Sequence, residues 1–198
     1  MKIYDLLIVG GGAAGLMAAG TAQGRGLSVA LFDKNRQLGR KVRITGKGRC
    51  NVTNDCAAPE VLQNVPRNSR FLTSAVTRFP PEAVKAFFEG LGVPLKTERG
   101  NRVFPVSDRS FDISAALEKY LRTLGVELIL DRAEALLLED GILQGVVCRG
   151  GRRKARRVVV ATGGMSYPLT GSTGDGYRLA RSVGHTVTEL RGSLVPLC

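Results

Sequence analysis

At 198 residues the chain suits one domain or one and a half, and its 43% apolar content is ample for a packed core. Lysine and arginine number 29 against 17 aspartates and glutamates, a net +12 that fits an anionic cofactor, an acidic substrate, a nucleic acid or solubility alone. The four cysteines form no C-x-x-C pair and His185 is the only histidine, which argues against a disulfide scaffold and a metal site.

Residues 3–9, I-Y-D-L-L-I-V, predict a strand that breaks into G-G-G-A-A-G. Gly10, Gly12 and Gly15 fit G-x-G-x-x-G: the first glycine makes the turn, the second lets backbone approach a pyrophosphate, and the third lets helix and strand pack closely. Phosphates then sit at a helix N-terminus, held by its free N–H groups and dipole. Ala14, Ala18, Ala19 and Ala22 give the helix a small face, residues 24–26 end it, and residues 27–32 predict a second apolar strand ending in Asp33. Asp33 stands where a carboxylate would accept hydrogen bonds from ribose hydroxyls, favouring FAD or NAD over NADP. The bland alternative is a parallel α/β start without nucleotide, in which Asp33 only caps a turn.

Residues 34–54, K-N-R-Q-L-G-R-K-V-R-I-T-G-K-G-R-C-N-V-T-N, are too rich in glycine and charge for a regular element and predict an ordered functional loop. Lys41 and Arg43 can reach phosphates, Gly46 and Gly48 admit backbone close to a flat ring, and Arg49, Cys50 and Asn51 offer polar groups for a flavin edge. The alternative is a loop whose polar groups satisfy only one another. A helical insertion over about 55–112 follows a linker, with helices at 69–79 and 81–91, then a hairpin at 93–105 turned at E-R-G-N. Ser110 or Asp112 is expected to cap the next helix, which keeps its spacing to Gly125.

Residues 126–130 predict a third parallel strand, and residues 134–156 an antiparallel meander turned at 139–141 and near Gly150. Six cations within residues 149–157 read as a solvated hairpin turn, with RNA or an anionic surface as the minority reading, since no aromatics are interleaved to stack bases. Residues 157–161 predict a separate apolar strand leading into Thr162, Gly163 and Gly164, and back to the cofactor. G-S-T-G-D-G opens a last helix at 177–183, before His185 and a strand-like stretch at 186–190. Cys50 reads as a structural thiol and His185 as a capping residue. No apolar run approaches a membrane span, and the N-terminal run is too short for a signal peptide, so the chain reads as cytoplasmic.

T-G-K-G-R-C-N-V-T-N, V-V-V-A-T-G-G and T-G-S-T-G-D-G-Y-R-L-A-R-S-V-G-H, taken with the glycine fingerprint, resemble the HI0933-like (BaiN-like) family of bacterial FAD-dependent flavoproteins over essentially the whole chain. That resemblance implies a Rossmann-like α/β domain of the two-dinucleotide-binding-fold type. It would comprise a parallel central sheet, the helical insertion and the small meander, with an FAD-binding domain over 1–190. Residues 191–198, ending S-L-V-P-L-C, are expected to start the connection to a substrate domain that family members, being longer, carry next.

Carried over from the family, Gly10, Gly12, Ala13, Ala14 and Gly15 hold the pyrophosphate, and Asp33 and Lys34 the ribose end. Arg40, Lys41, Gly46, Gly48 and Asn51 line the phosphate-to-flavin stretch. Ala133 offers backbone to adenine, and Thr162, Gly163 and Gly164 pass close to the cofactor, with Gly174, Asp175 and Gly176 expected to shape the turn near the flavin. The implied activity is an oxidoreductase exchanging hydride between FAD and an unidentified small organic molecule, with NAD(P)H a candidate reductant and no residue singled out as catalytic. Two rivals are a flavin-containing RNA-binding or RNA-modifying protein, and an inactive fragment that needs a C-terminal half.

Overall fold

The computed structural model describes residues 2–192. Strand β1 (Ile3–Val9) leads through the glycine turn into helix α1 (Ala13–Gly24), and the chain returns as β2 (Val29–Asp33). The four apolar residues of β2 are all buried, as expected of a strand covered on both faces. β1 and β2 are parallel, with Leu6 opposite Val29 and Val9 opposite Phe32.

Residues 34–54 are more regular than the sequence suggested. They contain a short helix α2 (Arg40–Ile44), a 3-10 turn (Thr45–Gly48) and the two-residue strand β3 (Thr53–Asn54). The linker that follows also holds an unforeseen helix, α3 (Ala58–Gln63), ahead of α4 (Ser69–Arg78) and α5 (Pro81–Gly90). The expected hairpin is present as β4 (Leu95–Glu98) and β5 (Arg102–Pro105), and β5 also pairs with β3 to make a three-stranded sheet. Helix α6 (Ser110–Thr123) starts from Arg109 without a side-chain cap. Ser110 instead donates to the Arg43 carbonyl at 2.7 Å, and Asp112 accepts from the Ser107 hydroxyl, so neither serves as the expected cap.

After β6 (Glu127–Leu130), strands β7 (Ala133–Glu139) and β8 (Ile142–Cys148) form the meander, and β9 (Gly151–Val160) closes it. The basic segment and the apolar strand expected to follow it are therefore one element. β9 pairs antiparallel with β8 through its basic half, and parallel with β1 along its length, from Lys154 opposite Ile3 to Val160 opposite Val9. The result is one mixed six-stranded sheet, ordered β6-β2-β1-β9-β8-β7. The last helix, α7, spans Asp175–Ser182, and residues 186–190 are not a strand, since no sheet edge is paired with them. Residues 193–198, including Cys198, lie outside the described residues.

One face of the sheet packs Ile8, Val29 and Leu31 against Leu16 and Ala19 of α1 and Ile113, Leu117 and Leu121 of α6. The other face packs Tyr4, Leu7, Val9 and Phe32 against Ala133, Val146 and Cys148 of the meander and Leu179 of α7. Within the meander, β7 carries two register irregularities against β8, at Ala133/Ala135 and Leu137/Leu138, of the kind that bends a ladder. Among the described residues, no helix is long and apolar enough to cross a membrane.

A β-carbon on Gly15 would run into the carbonyl oxygen of Gly10, whereas one on Gly24 at the end of the same helix meets nothing within 4 Å. Gly15→Ala is therefore expected to lose roughly 3 kcal/mol or more in urea unfolding, because backbone has to shift. Gly24→Ala should gain about 0.5–1 kcal/mol from helix propensity alone.

Candidate functional site

The order of strands reverses at β1, with β2 on one side and β9 on the other, and a ligand crevice forms beyond the carboxyl ends of such a pair. Here the Gly10 N–H donates to the Phe32 carbonyl at 2.8 Å, and the Ala161 N–H to the Val9 carbonyl at 2.7 Å. Gly10 adopts φ +112° and has the Ala161 backbone against its α-carbon, so no side chain fits there. A cavity of about 600 Å³ opens at this point.

Twelve of the sixteen residues expected from sequence line that cavity: Gly10, Gly12, Ala13, Ala14, Asp33, Lys34, Arg40, Lys41, Asn51, Ala133, Thr162 and Gly163. The other four do not line it. Gly15 is buried under Gly10, and a β-carbon on Gly46 would press on Asn51 and Phe104. Gly48 turns the loop at φ +86°, and Gly164 faces the Tyr177 hydroxyl. Gly12, the start of α1, has ordinary extended φ and ψ, and a β-carbon there would meet nothing within 4 Å. Its bare α-carbon makes a cradle beside the free N–H groups of a twelve-residue helix whose first turn carries no acidic residue.

Asp33 is already engaged. Its Oδ2 accepts from the Gly11 N–H at 2.7 Å, and its Oδ1 accepts from the Asn35 backbone and side-chain amides at 2.7 and 2.9 Å. It thus holds the glycine turn to the end of β2 while lining the cavity. Beside it, the Asp131 N–H donates to the Asp33 carbonyl at 3.1 Å, which brings Ala133 to the same end of the cavity.

The cations divide by partner. Lys34 Nζ donates to Asp175 Oδ2 and Thr173 Oγ1, both at 2.8 Å, and Arg132 binds the other oxygen of Asp175 at 2.9 Å. Arg40 instead donates to the Asn35 amide oxygen at 2.8 Å, and Lys41 to the Ser166 carbonyl at 2.8 Å. Neither Arg40 nor Lys41 has a carboxylate partner among the described residues. Their charge faces the cavity uncompensated, while that of Lys34 is neutralised. Asp175 therefore belongs to the Asp33 end of the cavity through its two cations, a placement sequence reasoning missed because the partners lie 141 and 43 residues away.

The 45–51 loop owes its shape to left-handed backbone at Gly46, Lys47, Gly48 and Cys50. Arg49 does not offer its guanidinium to the cavity. It lies 4.0 Å from the centre of the Phe104 ring and pairs with Glu98 at 2.9 Å, tying the loop to the small sheet. With its amide oriented so that oxygen and nitrogen are both satisfied, Asn51 donates from its nitrogen to the Thr53 and Val103 carbonyls at 2.9 and 3.2 Å. Burial pushes the Cys50 thiol up, against a smaller opposing effect of the Thr45 side chain, so it is a protonated wall group. The Thr162 hydroxyl is buried beside Gly176 of α7 and has no hydrogen-bond partner among the described residues. His185 is exposed, and its backbone N–H closes α7 by donating to the Ala180 carbonyl at 3.1 Å.

A family model described as the HI0933-like protein Rossmann domain matches residues 4–193. The 3-dehydro-bile acid delta(4,6)-reductase of Clostridium scindens is 35% identical over 195 residues, which cover 96% of this chain and 46% of that protein. The ribosomal RNA dihydrouridine synthase of Escherichia coli is 30% identical over 197 residues, covering 99% of this chain and 48% of that protein. The chain thus spans about half the length of the curated relatives it matches. Among solved structures, the open conformation of a flavocytochrome c3 fumarate reductase superposes with a TM-score of 0.75 at 23% identity, over 93% of this chain and 41% of that one, a likeness of fold.

Asp175 carries the pH dependence of the cavity's end. Burial raises its pKa, but hydrogen bonds from Lys34, Arg132 and Thr173 outweigh that and hold it at about 2 against an ordinary 3.8. A depressed carboxylate stabilises the fold fully above pH of about 4 and loses that contribution as pH falls towards 2. Asp175→Asn is expected to cost roughly 2 kcal/mol at neutral pH, and to flatten the urea-midpoint profile within that acid window.

Proposed function

This chain belongs to the HI0933-like family, and from that membership and its cavity we propose that residues 1–190 form the FAD-binding part of a cytoplasmic oxidoreductase. The observation that carries the reading is the open cradle at Gly12, set where strand order reverses, with uncompensated cations to one side. A dinucleotide fits each of these features.

In this reading the backbone of Gly10, Gly12, Ala13 and Ala14 and the start of α1 take the pyrophosphate, and Gly15 lets helix and strand approach for them to do so. Arg40 and Lys41 balance its charge. Asp33 receives the ribose hydroxyls, with Lys34 held beside it by Asp175, and Ala133 presents backbone to adenine. Thr162 and Gly163 support the stretch towards the flavin from the β9 side, while Gly46, Gly48, Asn51 and Gly164 shape the walls. Bound FAD supplies hydride exchange with a small organic molecule, and NAD(P)H is a candidate reductant. The residues of this chain bind, orient and shield; none is assigned an acid–base step.

A second reading has a specific observation behind it. The Escherichia coli relative is named for ribosomal RNA, and this chain carries +12 with six cations in residues 149–157. An RNA substrate would show tRNA or rRNA affinity that falls steeply with salt, because phosphate contacts release counterions. Absence of binding at low salt removes that reading.

The first reading is tested by the visible spectrum of the purified chain before and after adding FAD, with released cofactor identified by mass. Saturable flavin bands are expected in the wild type, and a protein that never takes up flavin overturns the assignment for these residues. Gly12→Val should abolish uptake while costing the fold about 1 kcal/mol at most, since the position is unstrained and only the cap preference changes.

A further inference from the structure

The cavity has a second end that the cofactor's polar groups do not explain. Beyond the loop at 45–51 its wall is Met17 of α1, Val52, Val84 and Phe88 of α5, and Ile113 and Leu117 of α6. Phe88, Ile113 and Leu117 are core residues, 7%, 2% and 2% exposed, so this end reaches into the protein interior rather than along its surface. Phe79 also lines it and is 42% exposed, which puts a way in from solvent beside that ring.

The polar side chains at the entrance to this end are spent or weak. The Thr45 hydroxyl donates to the Val42 carbonyl at 2.7 Å, and the Asn51 amide nitrogen donates to sheet carbonyls. Cys50 presents only a buried thiol. A ring bearing carbonyl and imide groups would leave them unpaired here, at a full desolvation penalty. A hydrocarbon loses no hydrogen bond on entering, and an apolar cavity left dry gains contacts when an apolar guest fills it.

We propose that this apolar end receives an uncharged hydrocarbon portion, ring or acyl chain, of an organic molecule that shares the cavity with the cofactor. The inference deepens the flavoprotein reading and rests on it only for the cofactor's place in the polar half. The polar half anchors by charge and hydrogen bonds, and the apolar half selects by shape and the absence of polar partners.

The test uses the full chain stripped of flavin and the neutral fluorescent probe 1-aminoanthracene. Saturable binding at a single site is expected, with FAD added afterwards leaving the probe in place. Val84→Trp, which fills the half-buried wall of this end, should weaken the probe at least about tenfold without moving FAD affinity or the thermal midpoint. Should that variant fold poorly, Phe79→Gln at the exposed entrance should weaken the probe in the same direction. No saturable binding, unchanged affinity in a folded variant, or stoichiometric displacement by FAD overturns the proposal. Probe binding by a chain that refuses FAD would sink the flavoprotein reading and leave this site standing.

Discussion

The fold turns on the contact between Gly15 and the carbonyl of Gly10, which lets α1 start directly against the end of β1. A single side chain at that crossing would push the helix off the strand. The rest follows from that approach: α1 lies close enough for Leu16 and Ala19 to share one core with Ile8 and Leu31, and its first turn points into the crevice between β2 and β9. Asp33 then secures the geometry from the neighbouring strand by accepting the Gly11 N–H. Packing and binding therefore depend on one small piece of backbone, which explains why glycine stands at positions where neither role tolerates a β-carbon.

The parts of this architecture that were legible in the sequence are those encoded by neighbours in the chain. β1, α1, β2, β6 and α6 announce themselves through apolar runs or helical spacing bounded by glycine, and Asp33 through its distance from the turn. β9 was divided in two because its composition changes from basic to apolar at Arg157, yet hydrogen-bond pairing is indifferent to that change. Lys154 opposite Ile3 and Val158 opposite Leu7 belong to one ladder. Helices of five or six residues, such as α2 and α3, are too short to display a period, and they form because tertiary contacts hold them. Residues 186–190 show the converse: strand-like composition produces no strand without an edge to pair with.

Long-range charge pairing was the least legible layer of the site. Nothing near Lys34 in sequence indicates that Asp175 will claim it, and nothing near Arg49 points to Glu98 and Phe104. These pairings still decide the electrostatics. With Asp175 pairing Lys34 and Arg132, and Asp33 and Asp131 beside them, one end of the cavity carries no net positive charge, while Arg40 and Lys41, held by neutral oxygens, keep theirs. A net +12 thus says little about the site until each cation's partner is known. Positive potential is concentrated beside the start of α1, where the helix dipole adds to it.

The two ends of the cavity are built on different physical terms, and that division constrains what the site can take. At the glycine turn, recognition comes from backbone N–H groups and cations that would otherwise be solvated, so an anion gains most there. At the α5–α6 end, Ile113, Leu117 and Phe88 belong to the same core that supports α1, so its shape is fixed by the packing that holds the helix in place. A ligand that spans both ends therefore meets a single rigid unit, in which α1 is the shared wall: its first residues face the polar half and Met17, one turn on, faces the apolar half.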